Sequence, residues 1–97
     1  MTADREITTV RVRIKGRVQG VWYRGWTVET ARALGLDGWV RNRSDGSVEA
    51  VFQGPPAAVD RMIEACHDGP SAARVTAITP HQTPPVAAPG FHQKATL

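Results

Sequence analysis

The stretch TVRVRIKGRVQGVWYR, residues 9–24, decides the fold prediction because it joins a strand to a helix through a loop framed by two glycines. Residues 9–15 alternate between apolar and polar, which is the period-two pattern of a half-buried strand. The apolar members are Val10, Val12 and Ile14. Gly16 and Gly20 can take positive φ angles, so the segment between them can turn tightly. We therefore expect a strand, a tight loop and then a helix.

The first helix is predicted from a stripe of larger side chains, spaced three and four residues apart over residues 23–34. It should end at Gly35, since glycine is a common C-terminal cap. Two strands, 36–42 and 47–53, follow, and the Asp-Gly at residues 45–46 favours a hairpin turn between them. These two strands should pair antiparallel.

The second half of the chain repeats this pattern. Pro55-Pro56 can open a second helix, because proline is tolerated in the first helical turn. Its apolar face contains Val59, Met62, Ile63 and Cys66, so we expect the thiol to be buried and structural. The helix should stop at Gly69-Pro70. A strand is predicted over 73–79, then a proline-rich connection over 80–90 and a short final strand within 91–97.

The predicted order is strand-helix-strand-strand-helix-strand. This is the ferredoxin-like βαββαβ sandwich of the α+β class, in which one antiparallel sheet carries both helices on one face. A chain of 97 residues has the length of one domain, so we expect residues 1–97 to form a single domain, with residues 1–6 as a flexible N-terminus. Because this fold serves many functions, function has to be argued from the site.

Composition limits the possible partners and compartments. With 41% hydrophobic and 22% charged residues, the composition is typical of a globular protein. Twelve Lys and Arg against nine Asp and Glu give a net charge of +3, which favours anionic partners. No block of like charges marks a nucleic-acid-binding arm. The single cysteine cannot form an internal disulfide, and no stretch reaches the roughly 18 apolar residues of a membrane span, so a cytoplasmic protein is expected.

The junction of first strand and first helix has the features of an anion site. Successive backbone N–H groups in the loop, together with the N-terminus of the helix, form an electropositive concavity. Arg24 adds a guanidinium that can grip two phosphate oxygens at once. The alternative is a surface arginine paired with Glu29 or with solvent. The spacing does not match a P-loop, and His67, His81, His92 and Cys66 lack any recognised zinc spacing, so no metal site is expected.

Two segments resemble the signatures of the acylphosphatase family. Residues 16–24, GRVQGVWYR, are similar to the family's first motif around its phosphate-binding arginine. Residues 38–42, GWVRN, followed by DGSVE at 45–49 and by Gly54, are similar to the second motif in residue type and spacing. The resemblance runs from about Val10 to Val75.

The resemblance implies an enzyme that hydrolyses the carboxyl–phosphate bond of small-molecule acyl phosphates without metal or cofactor. Arg24 would bind the phosphate and Asn42 would position the attacking water. The remaining phosphate donors would come from a loop of six residues, namely Gly16, Arg17, Val18, Gln19, Gly20 and Val21. Inorganic phosphate, the product, would act as a competitive inhibitor. The enzyme would be a monomer that binds neither nucleic acid nor membrane.

Two positions depart from the family pattern. Tyr23 stands where the family more often has phenylalanine, and its hydroxyl needs a partner if it is buried. The segment 91–94 matches the family's closing strand only loosely, which leaves the register of that strand open.

Other acidic and aromatic side chains are expected to have ordinary structural roles. Asp45 is expected to face solvent from a turn, and Glu49 to face solvent from its strand. The three tryptophans, Trp22, Trp26 and Trp39, are expected to be packing residues, with Trp39 placed to line the rim of the site.

Two rival functions are kept. A basic ferredoxin-like sheet is also the scaffold of RNA-recognition modules. These modules need exposed aromatic rings on their central strands, whereas Phe52 is the one aromatic residue of its strand here. The other rival is a regulatory copy of the fold that binds phosphate without turnover, against which the presence of both Arg24 and Asn42 argues.

Overall fold

The computed structural model describes residues 6–97. Its elements, in chain order, are β1 (Thr8–Arg17), α1 (Tyr23–Ala33), β2 (Asp37–Asn42), β3 (Val48–Gly54), α2 (Pro56–Cys66), β4 (Arg74–Gln82) and β5 (Phe91–Gln93). The expected flexible N-terminus covers residues 1–6, and of these, residues 1–5 lie outside the described part of the chain. The predicted order of strands and helices is confirmed, including the short final strand within 91–97, which is β5.

The strands form one sheet in the order β4-β1-β3-β2-β5. The middle strand β3 pairs antiparallel with both β1 and β2, and β1 also pairs antiparallel with β4. Helix α1 packs over β2 and β5, and α2 over β1 and β3, so both helices cover one face. The ferredoxin-like prediction is therefore confirmed for β1, β2, β3, β4 and both helices.

The predicted all-antiparallel sheet is wrong at its last strand, because β5 pairs parallel with β2. Strand β4 runs opposite to β1 and β2. The connection after β4 contains no helix and reverses the direction of the chain, so β5 runs in the same direction as β2. Phe91 anchors β5 because it is fully buried and stacks on Phe52 with ring centroids 5.6 Å apart. The Arg32 guanidinium of α1 donates to the Phe91 carbonyl oxygen at 2.9 Å.

Strand β4 is longer than predicted, because it continues through Pro80 to Gln82. Proline cannot donate a ladder hydrogen bond, but β4 is an edge strand, where that loss is tolerated. The proline-rich connection therefore begins at residue 83 rather than at residue 80.

The core lies between the sheet and the two helices. Cross-strand rows such as Val12–Ala50–Val40 present buried side chains to the helices. Cys66 of α2 is fully buried among them, as predicted, and burial raises the pKa of its thiol to about 12. A thiol with that pKa is mostly protonated at neutral pH and is a poor nucleophile.

The open face of the sheet carries a charged cluster that the sequence analysis did not anticipate. Glu49, expected to face solvent, is only 3% exposed. Its carboxylate accepts hydrogen bonds from Arg11 and Arg41 at 3.0 Å and from Arg43 at 3.2 Å. Burial by itself would raise the pKa of Glu49, but the hydrogen bonds from Arg11 and Arg41 and the charges of Arg41 and Arg43 hold it below its usual range. Asp45 does face solvent, as expected.

We predict that Glu49→Gln lowers the free energy of unfolding by about 1–3 kcal/mol at pH 7, because three guanidinium groups lose a shared carboxylate. The pKa of Glu49 is lower in the folded than in the unfolded chain. Its contribution is therefore present above the unfolded pKa of about 4.3 and is lost as the pH falls through the folded pKa.

Urea unfolding of parent and Glu49→Gln between pH 7 and pH 3 measures this effect. The difference in unfolding free energy between the two proteins should become smaller below about pH 4. Glu64→Gln, at an exposed position on α2, is the matched control and should leave the unfolding free energy unchanged. A difference that stays constant down to pH 3 would contradict the prediction.

Candidate active site

The ends of β1 and β2 lie together because both strands run in the same direction on either side of β3. The pairing register puts Ile14, Val48 and Asn42 in one cross-strand row. The loop that follows β1 and the first turn of α1 therefore lie at the same end of the sheet as Asn42. All the residues predicted for the phosphate site belong to this end.

The predicted phosphate loop begins inside a strand, because Gly16 and Arg17 belong to β1. A bulge lies between Lys15 and Gly16, and Gly16 has a φ of 125°. A Cβ at this position would collide with the carbonyl oxygen of Arg74 in β4, so glycine is needed for the strands to approach. The loop proper starts at Val18, whose buried side chain attaches it to the core.

The loop predicted to bind phosphate, here called the cradle, alternates in the sign of φ at its end. Gly20 has a φ of 74° and Trp22 a φ of 67°, whereas the φ of Val21 between them is not positive. Alternation of right- and left-handed residues is the pattern by which an anion-binding nest directs successive N–H groups toward one point. The loop then runs directly into the N-terminus of α1, whose unpaired N–H groups add further donors.

Arg24 is the second residue of α1, and no acidic residue occupies the first turn of that helix. Within residues 6–97, its guanidinium makes no hydrogen bond or ion pair, so the alternative pairing with Glu29 is not formed. A cation at this position opposes the helix dipole, at a cost of about 0.3–1 kcal/mol. The arrangement leaves the guanidinium available to an anion.

Asn42 is the last residue of β2 and lies on the face of the sheet that the helices cover, in the row with Val48. Its side-chain oxygen Oδ1 is buried and accepts no hydrogen bond from any of residues 6–97. A buried polar atom without a partner is uncommon and costs folding free energy. Its acceptor is therefore open to a small polar molecule such as water.

Gln19 connects the loop to the hairpin that follows Asn42. Its Nε2 donates to the carbonyl oxygens of Arg43 at 2.8 Å and of Ser47 at 2.9 Å. From the sequence, Gln19 is predicted to contribute only its backbone N–H to the loop. The role of the side chain was missed, because its two acceptors lie 24 and 28 residues away along the chain.

Tyr23, the first residue of α1, finds the partner that its hydroxyl needs. The hydroxyl donates to the Cys66 carbonyl oxygen at 2.6 Å, at the C-terminal end of α2. Burial raises the pKa of the Tyr23 hydroxyl well above its usual range. The departure from phenylalanine thus adds a bond between the start of α1 and the end of α2.

The three tryptophans have different environments. Trp26 packs against Tyr23, with ring centroids 5.4 Å apart, as expected for a packing residue. Trp39 lies on the open face beneath Arg41 and Lys94, 4.7 Å and 4.4 Å from its centroid, rather than at the rim of the site. Trp22 is 59% exposed, so the packing prediction is wrong there.

Three further observations concern the aromatic residue of β3, clusters of metal ligands and the lengths of the helices. Phe52 is fully buried, so the stacking surface of an RNA-recognition module is not formed on its strand. Among residues 6–97, no three His, Cys, Asp or Glu side chains come together as metal ligands. Over the same range, neither helix is long and apolar enough to cross a membrane.

Comparisons with protein families and with known proteins identify a single family. The family model described as acylphosphatase matches residues 10–93. An acylphosphatase of Rhodospirillum rubrum is 62% identical over 92 residues, covering 92% of this chain and 98% of the relative.

Solved structures agree with this match. An acylphosphatase structure from Coxiella burnetii superposes with a TM-score of 0.89 at 30% identity, covering 93% of this chain and 95% of that one. One from Bacillus subtilis gives a TM-score of 0.85 at 32% identity, covering 92% of this chain and 99% of that one.

We predict that Gln19→Ala lowers the free energy of unfolding by about 1–3 kcal/mol, because the loop loses both hydrogen bonds to the hairpin. Urea unfolding measures the loss. Gln93→Ala, at an exposed position in β5, is the matched control and should change stability by no more than about 0.5 kcal/mol. Equal stability of Gln19→Ala and the parent would show that the side chain does not hold the loop.

Proposed function

The chain belongs to the acylphosphatase family, and from that premise we propose that Arg24 and the loop amides bind the phosphate of the substrate while Asn42 orients the attacking water. The family reaction is hydrolysis of the carboxyl–phosphate bond of an acyl phosphate. Water attacks phosphorus, the bond from phosphorus to the carboxyl oxygen breaks, and the products are a carboxylate and inorganic phosphate.

The observation that carries the proposed site is an unpaired Arg24 guanidinium at the end of a loop whose φ signs alternate. Phosphoryl transfer asks a protein mainly for positioning and for stabilisation of charge on the equatorial oxygens. The guanidinium supplies a planar fork for two oxygens, and amides within residues 16–21 supply fixed donors. Fixed donors of this kind need no reorganisation when the transition state forms.

Asn42 suits the water because an amide is a donor at one end and an acceptor at the other. The open Oδ1 acceptor can take a hydrogen bond from the water, which directs an oxygen lone pair toward phosphorus. A strong general base is not needed in this scheme, since the phosphate itself can take the proton. The carboxylate is a good leaving group and needs no general acid.

We further propose that residues 1–97 form one domain that acts as a cytoplasmic monomer and binds no nucleic acid. Because Arg24, Asn42 and the loop all come from one chain, the proposed site does not require a second subunit. Inorganic phosphate should compete with the substrate, because it offers the same oxygens to the same donors.

Asn42→Ala should lower kcat about 10²- to 10³-fold while phosphate still binds, since it removes one positioned polar group. Release of phosphate from a carboxyl phosphate, in buffer that contains a chelator, measures the activity of parent and variant. Ser44→Ala, an exposed neighbour in the hairpin, is the matched control and should keep parental turnover. Normal turnover with weakened phosphate binding in Asn42→Ala would refute the assigned role, and a parent without activity would favour the phosphate-binding rival.

Without anions, the free energy of unfolding of Arg24→Ala should equal that of the parent or exceed it by up to about 1 kcal/mol. The reason is that the substitution removes an unfavourable charge–dipole interaction. With phosphate at a hundred times its Kd the parent should gain about 2.7 kcal/mol and the variant almost nothing. Thermal melts at constant ionic strength measure both effects.

Arg32→Ala is the matched control for this experiment, because Arg32 lies in the last turn of the same helix. It should be destabilised without anions, since it loses its bond to Phe91, yet keep the full gain from phosphate. If Arg24→Ala gains as much from phosphate as the parent does, the guanidinium is not the phosphate ligand.

A further inference from the structure

A groove on the open face of the sheet, here called the basic groove, contains cations that the proposed active site does not use. Its volume is about 240 Å³, and it is lined by five residues of β1 and β4, namely Arg11, Arg13, Lys15, Thr79 and His81. In the described part of the chain, no Asp or Glu lines it. The groove therefore joins three cations without a carboxylate in its wall.

Strand geometry places these cations in a row. Arg11, Arg13 and Lys15 alternate with the buried core residues of β1, so all three side chains lie on the open face, opposite the helices. Side chains at alternate positions of a strand lie about 6.8 Å apart. On the neighbouring strand, His81 pairs with Arg11 and Thr79 with Arg13. The groove thus has a regular row of cations on one side and two polar side chains on the other.

Carboxylates of the chain neutralise this row only in part. Arg11 donates to Glu49 at 3.0 Å, and Arg13 donates to the exposed Asp45 at 3.3 Å, a kind of surface pair that contributes little. The Nε of Arg13 is buried and donates to no other group within residues 6–97. Lys15 is exposed and, over the same range, makes no hydrogen bond or ion pair. The basic groove therefore keeps positive charge and unused donors for an anionic ligand.

The groove lacks the features that nucleic acid needs. Proteins that bind single strands on a sheet stack the bases on exposed aromatic rings. Among residues 6–97, no Phe, Tyr or Trp lines the basic groove. Trp39 lies on the same face of the sheet, but Arg41 and Lys94 lie over its ring, 4.7 Å and 4.4 Å from the centroid. Carboxylates, in contrast, need only charge and hydrogen-bond donors.

We propose that the basic groove binds an extended acidic segment of a partner protein, in which Asp or Glu occupies alternate positions. Alternate side chains of an extended chain lie on one face about 6.8 Å apart, which is the spacing of Arg11, Arg13 and Lys15. Each carboxylate can therefore meet one cation, and a guanidinium can hold it through two hydrogen bonds. The Thr79 hydroxyl and the His81 ring can hydrogen-bond to the same segment. A single phosphate is too small to span the row.

Two labelled peptides of identical composition test the spacing. Four glutamates alternate with threonines in one peptide and are consecutive in the other. Fluorescence anisotropy measures the Kd of each peptide for the full chain at an ionic strength of about 0.02 M, where surface charges are weakly screened. The alternating peptide should bind about 3- to 10-fold more tightly, because consecutive glutamates of an extended chain face opposite sides. Equal Kd values, or no binding of either peptide, would overturn the proposal.

Lys15→Glu and Lys94→Glu form a matched pair, because both residues are exposed on the open face and both substitutions change the net charge equally. Lys15→Glu should raise the Kd of the alternating peptide about 10-fold, since an attraction in the groove becomes a repulsion. Lys15→Gln should raise it about 3-fold, because it only removes the charge. Lys94→Glu, outside the groove, should stay within about 2-fold of the parent.

Thermal melts establish that each variant is folded before its binding is compared. An equal rise in Kd for Lys15→Glu and Lys94→Glu would show that the peptide responds to net charge alone, and would overturn the proposal. Tighter binding of a single-stranded oligonucleotide of the same charge, if it is lost in Lys15→Glu, would assign the groove to nucleic acid instead.

The active site provides the last control. Arg24→Ala should bind the alternating peptide with the parental Kd, because the basic groove lies on the face of the sheet opposite Asn42. A loss of peptide binding in Arg24→Ala would place the carboxylates in the cradle and overturn the proposal. A parent that is inactive on acyl phosphates but binds the alternating peptide selectively would overturn the proposed function and leave this inference standing.

Discussion

The position of β3 between β1 and β2 is the constraint on which the site depends. Because β3 pairs antiparallel with both neighbours, β1 and β2 run in the same direction and end at the same end of the sheet. The loop after β1 and the hairpin after β2 therefore meet, although they are far apart along the chain. The two hydrogen bonds of the Gln19 side chain to the hairpin are a direct result of this strand order.

Around the proposed site, residues take locally unfavourable positions and conformations. Away from it, the fold follows ordinary rules: α1 ends in a Schellman motif, in which Leu36 donates to the Ala31 carbonyl oxygen at 3.0 Å and Gly35 to that of Arg32 at 3.0 Å. At its other end the same helix begins with Trp22 at positive φ and carries Arg24 against its dipole. The C-terminus of α1 thus stabilises the helix, whereas its N-terminus destabilises it. The destabilised N-terminus is where we place the phosphate.

Features set by neighbouring residues could be predicted from the sequence, and features set by distant ones could not. The alternation in β1, the hairpin at residues 45–46 and the burial of Cys66 depend on local spacing. The position of β5 beside β2 depends on the burial of Phe91 against Phe52 across the sheet. Glu49 is buried because three arginines, from β1, from β2 and from the connection between β2 and β3, surround it. The loop and Arg24 were identified by their motif, whereas the exposure of Trp22 depends on the turn that precedes α1.

The charged cluster on the open face and Asn42 on the opposite face are parts of one arrangement. Arg41 and Arg43, the chain neighbours of Asn42, both donate to Oε1 of Glu49, at 3.0 Å and 3.2 Å. Side chains alternate along a strand, so with both neighbours held on the open face Asn42 must project toward the helices. A one-residue slip of β2 would turn Asn42 to the open face and a guanidinium toward the core. The buried carboxylate therefore favours the register that presents the Asn42 amide at the end of the sheet where the loop and Arg24 lie.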